Sequence, residues 1–163
     1  MKKLTSVVLI LVLILSTLFI SAFASSQEIL LSEKEVLEED GSVSTEKLYK
    51  IVQVEPYTSA RKLATMSASG VKSATFTKTK THSGNNFTMV ASFNYVKGSS
   101  VSFSYSYYDA GSYFNGIIRN LSSGGSPNGL IIPWSKVTYN YRYGNGSSSS
   151  IYIKCNCNGN SVI

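Results

Sequence analysis

The sequence predicts an all-β protein: a small antiparallel β-sandwich of about six or seven strands preceded by a signal peptide. Three observations predict it. From Val71 onward, apolar and polar residues alternate in one run after another, which is the period of a half-buried strand. Those runs concentrate β-branched and aromatic residues, which fit a pleated, half-buried surface. Gly, Asn, Asp and Ser cluster between the runs, where the chain has to turn.

The chain of 163 residues opens MKKLTSVVLILVLILSTLFISAFASSQ. Lys2 and Lys3 precede an apolar run from Val7 to Ile20 that is broken by Ser16 and Thr17. Ala22, Phe23 and Ala24 form the small-x-small pattern a signal peptidase accepts, so residues 1–24 read as a secretory signal cut after Ala24. The alternative is an uncleaved anchor, because residues 4–24 are just long enough to span a bilayer. No cysteine follows the apolar run to carry a lipid. The expectation is a secreted, extracellular protein with no stable membrane insertion after cleavage.

Residues 25–60 form an acidic segment. Between Glu28 and Glu55 stand eight acidic residues and three lysines, a net charge of −5. Residues 27–39 fit either a short acidic helix or an extended segment. Asp40-Gly41 is a turn signal, Leu48 to Val54 reads as a strand, and Pro56 ends it. The segment is either an extra strand or a removable pro-segment. Residues 61–70, within YTSARKLATMSASG, read as a linker with a dibasic pair, Arg61 and Lys62, as a candidate processing point.

Residues 71–163 are the β-domain. Thr75, Thr77, Thr79 and Thr81 alternate with Ala74, Phe76, Lys78 and Lys80. After the turn HSGNN, Phe87, Met89, Ala91, Phe93 and Tyr95 share one face. KGSS leads into SVSFSYSYYD, where Val101, Phe103, Tyr105 and Tyr107 fall on one side. With three serines opposite, that row is expected to pack inward, its tyrosine hydroxyls reaching the rim. A shorter strand around Tyr113 to Ile118 and a long loop, NLSSGGSPNG, follow. Leu130 to Trp134 carries Pro133 and reads as an edge or irregular strand. Val137, Tyr139, Tyr141 and Tyr143 then alternate with Lys136, Thr138, Asn140 and Arg142, and Ile151, Ile153 and Cys155 with Tyr152 and Lys154.

Catalytic parts are scarce. From Pro56 on there are ten Lys or Arg but one acid, Asp109, and one histidine, His82. Paired carboxylates for glycoside hydrolysis are therefore excluded there, and a Ser-His-Asp triad would depend on two residues that both read as exposed turn positions. No metal cluster, phosphate loop or dinucleotide fingerprint occurs. A non-enzymatic protein without cofactor or metal is expected. Cys155 and Cys157 would stand about 6.5–7 Å apart in a strand, at the limit for a bridge. They read as two apolar strand residues, as a local bridge turning at Asn156, or as an incomplete soft-metal pair.

What remains is charge and aromatics on a rigid sheet. The net +9 from Pro56 onward attracts anionic surfaces, and export argues against nucleic acid as the partner. Lys72, Lys78 and Lys80 could share a strand face, either as a patch or as a solvated surface that blocks edge pairing. The candidate ligand-binding residues are Lys136, Arg142 and Lys154, with Tyr108, Trp134 and Tyr152 to stack on sugars.

At EEDGSVSTEKLYKIVQVEP and IYIKCNCNGN the chain resembles small secreted proteins of clostridial-type Gram-positive bacteria, and the body is similar in composition to lactococcin 972-type bacteriocins. The first resemblance implies a signal peptide, an acidic segment and a Ser/Thr/Tyr-rich β-domain, with no site residues. The functional expectation is a secreted domain that associates with anionic cell-wall polymer or polysaccharide. The alternative is a pro-protein that releases a cationic, bacteriocin-like domain.

Overall fold

The structure, a computed structural model, describes residues 25–54, 70–125 and 131–162. The signal peptide with Ala24, the dibasic pair Arg61 and Lys62, and most of the linker lie outside those residues. Nearly all of the described sheet residues belong to one compact unit.

Eight strands form two sheets: six lie within residues 71–163, in line with the six or seven expected there, and two come from the acidic segment. They are β1 (Ser25–Leu37), β2 (Val43–Val54), β3 (Lys72–His82), β4 (Asn85–Val96), β5 (Ser100–Ala110), β6 (Phe114–Gly124), β7 (Trp134–Tyr143) and β8 (Ser148–Asn156). The larger sheet has the order β1-β2-β3-β4-β5 and the smaller β6-β7-β8. Every neighbour is also the next strand in sequence, so short turns suffice and the pairing is antiparallel. The acidic segment supplies β1 and β2, with Glu46 of β2 opposite Lys80 of β3. Asn120 to Gly124, expected in a loop, continue β6 against β7.

The inner faces meet in one core. Phe76, Phe87, Met89, Ala91 and Phe93 come from the larger sheet, and Val137, Tyr139, Tyr141, Tyr143, Ile151 and Ile153 from the smaller. Each large side chain so buried contributes roughly 1.5–3 kcal/mol. Phe87 is central: its ring stacks on Tyr141 at 4.7 Å and meets Phe114 edge-on at 5.4 Å.

The aromatic row of β5 does not pack inward as a row. Phe103 pairs with Phe93, but Tyr105 pairs with Ser92, so Ser104 is an extra residue in a β-bulge. One inserted residue reverses the alternation. Val101 and Phe103 pack against the core on one side of the bulge. Beyond it Ser106 and Tyr108 turn inward and Tyr105 and Tyr107 turn out, the latter 58% exposed. A second irregularity, between Asn115 and Ile118 of β6, uses Gly116 at a φ of 60°, a left-handed backbone that glycine adopts without strain.

Candidate functional site

Lys78 and Lys80 form no solvated patch. They project from the inner face of β3, and their side chains are only 8% and 3% exposed. Lys80 Nζ lies 2.7 Å from Glu38, and Lys78 Nζ lies 2.8 Å from Glu46. Lys80 also donates to Ser149 Oγ at 2.8 Å, and Ser149 donates to the other Glu38 oxygen at 2.8 Å. This cluster joins the β1–β2 hairpin to β3 and to β8 of the opposite sheet. Burial pushes the Lys78 ammonium below its ordinary range despite Glu46. Burial also raises the Glu38 carboxyl, but the hydrogen bonds from Lys80, Ser44 and Ser149 outweigh it and hold that carboxyl low. The alternation that placed both lysines on one face was sound. What covers that face is set by residues more than thirty positions earlier.

The outer face of the smaller sheet collects five of the six candidate residues. Trp134, Lys136 and Arg142 stand on β7, Tyr152 and Lys154 on β8, all on the side away from the buried tyrosines. Lys136 and Lys154 are directly opposite each other. The Lys154 ammonium lies 4.5 Å from the centre of the Trp134 ring, and that of Lys136 lies 5.6 Å from Tyr152. The Trp134 ring rests on Gly124, where a Cβ would sit 2.8 Å from it. Arg142 is at the far end of the same face, opposite Ser148.

Tyr108 does not belong to this surface. It lies inside the β5 edge, stacked on Phe87 at 5.5 Å and edge-on to Tyr139 at 5.2 Å. The bulge at Ser104 put it there. It is half exposed, above a shallow recess shared with Ile117 and Arg119.

A larger open groove of about 850 Å3 runs beside Arg142 and Tyr152. It is lined by Lys34 and Val36 of β1 with Glu39 just beyond that strand, by Asn115, Asn140 and Ser150, and by the Glu38–Lys80 pair and Tyr141. Asn115, Asn140 and Tyr141 were not singled out from sequence. Alternation placed Asn140 outward, but the opposing wall depends on the path of β1. Asp40 anchors that path: its carboxylate accepts hydrogen bonds from Ser42, chiefly, and from Asn145 and Ser147 of the β7–β8 turn, which hold it well below the usual range.

His82 is buried rather than exposed. It stacks on Tyr143 at 4.0 Å, and its Nδ1 hydrogen-bonds with Ser44 Oγ at 3.0 Å. Asp109 stands in β5 opposite Thr88 rather than in a turn. The two therefore point to opposite faces of the larger sheet. Cys155 and Cys157 are both buried and unbridged. Among the described residues, no three His, Cys, Asp or Glu side chains are placed to hold a metal ion, and no helix is long and apolar enough to cross a membrane.

Comparison with protein-family models, with curated proteins and with solved structures returned no match to this chain.

Proposed function

We propose that the protein is an exported, non-enzymatic β-sandwich that associates with an anionic polysaccharide or polymer of the cell envelope through the outer face of its smaller sheet. The observation that carries this reading is Lys136 opposite Lys154 on neighbouring strands, each beside an aromatic ring. Like charges directly opposite one another destabilise a sheet, and a polyanion laid across the pair relieves that repulsion. Trp134 and Arg142 extend the surface along β7, eight residues apart, or roughly 27 Å at strand spacing. That length suits a polymer chain better than a small molecule. The separation of His82 from Asp109 supports the non-enzymatic part.

The test is retention of the purified protein on cell walls and on polygalacturonate, with neutral dextran as control. Binding at low salt that is lost as salt rises is expected. Retention that ignores ionic strength, or that is equal on dextran, refutes the reading.

A second reading rests on the buried ion pairs. Glu38 and Glu46 of the acidic segment neutralise Lys78 and Lys80 of the body. Proteolysis near Arg61 and Lys62 would uncover both ammoniums on a released cationic domain. The intact mass of the native protein separates the two readings. A chain beginning at Ser25 favours the binding protein, and one beginning near Leu63 favours the released domain.

A further inference from the structure

The two sheets have four edge strands, and these are guarded unequally. The edge of β8 is closed in part by the end of its own chain. There the Val162 amide donates to the Lys154 carbonyl at 2.9 Å, and the Asn156 amide to the Asn160 carbonyl at 3.0 Å. β5 is interrupted by its bulge at Ser104. β6 exposes two aliphatic residues, Ile118 and Leu121, and its single charge is Arg119. β1 is different. It is the last strand of its sheet, so alternate backbone N–H and C=O groups face outward with no neighbouring strand among the described residues. Ile29, Leu30 and Leu31 follow one another along it and are 44%, 50% and 41% exposed. Such a run on an edge strand is a pairing surface unless charge protects it.

The charges of β1 do not protect it against a second copy of itself. Glu28 and Lys34 are opposite in sign and stand three residues to either side of Leu31. A two-fold axis through Leu31, perpendicular to the sheet, therefore sets Glu28 of each copy opposite Lys34 of the other. Leu31 then meets its own counterpart, Leu30 meets Ser32 and Ile29 meets Glu33. Opposite charges directly across a strand pair stabilise it, and like charges destabilise it. Pairing centred on Leu30 sets Glu28 against Ser32, and pairing centred on Ser32 sets it against Val36, so neither forms the ion pair. Glu28 is exposed and has no ion-pair partner among the described residues. Lys34 is half exposed and 3.5 Å from Glu46, and an ammonium has three donors, enough for a second carboxylate. β6 paired with itself offers no acid to Arg119.

We propose that β1 is a self-association edge: two copies pair their first strands antiparallel over residues 28–34, centred on Leu31, and join their larger sheets into one. The partner is a second copy of this chain because both halves of the charge complementarity lie in the one strand. The contact is on the larger sheet and does not depend on the polymer-binding surface of the smaller one. The paired run is roughly 23 Å long, a small interface, so a reversible dimer is expected.

The experiment is sedimentation velocity on the full mature chain beginning at Ser25, from about 1 µM to about 1 mM. A monomer–dimer equilibrium is expected. Leu31→Lys should weaken it about tenfold or more, and Glu28→Lys should weaken it because lysines then face each other across the pair. Leu31→Cys should give a disulfide-linked dimer on air oxidation, since directly opposed residues lie within bridging distance. Ile29→Cys should not, because its counterpart is displaced four residues along the strand, about 13 Å. The native chain, with Cys155 and Cys157 buried, is the control. The cross-link reads the register even where a variant loses stability. Native protein that stays monomeric throughout this range overturns the proposal. So does a dimer that Leu31→Lys or Glu28→Lys leaves as tight as before. Equal cross-linking of Leu31→Cys and Ile29→Cys overturns the register, and a dimer that Leu121→Lys dissociates instead assigns the contact to β6.

Discussion

The ammonium of Lys80 lies 2.7 Å from the carboxylate of Glu38, and the two share Ser149 as a hydrogen-bond partner. The contact spans both sheets and nearly inaccessible side chains. Removing one member of a buried pair leaves a charge without compensation. Lys80→Met should destabilise the protein by about 3–5 kcal/mol in urea denaturation, and adding Glu38→Gln should recover much of that loss.

The same pair sets an acid limit. Glu38 is held below the ordinary glutamate value of 4.5. Its contribution is therefore complete above that value and is lost as pH falls through the lower, folded-state pKa. Stability measured against pH should fall on this acid limb, and Glu38→Gln should flatten that part of the curve. A variant with the native slope there would show that another carboxylate is responsible.

Lys136 and Lys154 make the opposite case, a pair whose members repel. Replacing either with glutamine should change stability by no more than about 0.5 kcal/mol, because both heads are on the surface. Retention on polygalacturonate should nevertheless fall, and the dependence of affinity on salt should become shallower. Equal affinity and equal salt slope would remove this pair from the binding surface.

The bulge at Ser104 predicts which aromatic residues of β5 hold the fold. Tyr107→Ser should be within about 0.5 kcal/mol of native stability, since that ring points to solvent. Phe103→Ala, on the inner side, should cost about 2 kcal/mol or more. Deleting Ser104 would exchange the two faces beyond it, taking Tyr108 off Phe87, and should abolish cooperative unfolding. A well-folded deletion variant would show that β5 tolerates either register.

Burial pushes the Cys155 thiol up to about 12, so little thiolate forms near neutrality and alkylation is slow. In the native protein Cys155 should resist iodoacetamide at about pH 8, close to the ordinary thiol pKa, and both cysteines should react once the chain is unfolded. Rapid native labelling of Cys155 would contradict its burial, and a mass two hydrogens short would reveal a bridge.

Much of the fold was legible because a half-buried strand writes its period into the chain. Phe87, Met89, Ala91 and Phe93 were readable as one inward face, and so were Val137, Tyr139, Tyr141 and Tyr143. Their outward neighbours make up the surface proposed to bind polymer, so Trp134, Lys136, Arg142, Tyr152 and Lys154 could be placed together on one face without coordinates. Tyr108 is the exception among the candidates and lies on the inner side instead, because a bulge adds a single ordinary serine that no turn residue announces. Lys78 and Lys80 were assigned to the right face of their strand and to the wrong environment, because periodicity states that two residues share a side and not what lies against it.

Alternation and turn chemistry are local, and they determined the β class, most strand positions and which side chains face together. The unusual features of this protein come from long-range pairing. The acidic residues at positions 38 and 46 became partners of buried lysines only when the first hairpin joined the sheet. The groove beside Arg142 exists only because the end of β1 stands opposite β7 and β8. Desolvation depends on neighbours brought together from distant parts of the chain, so the tertiary structure alone decided which charges are buried and which remain exposed.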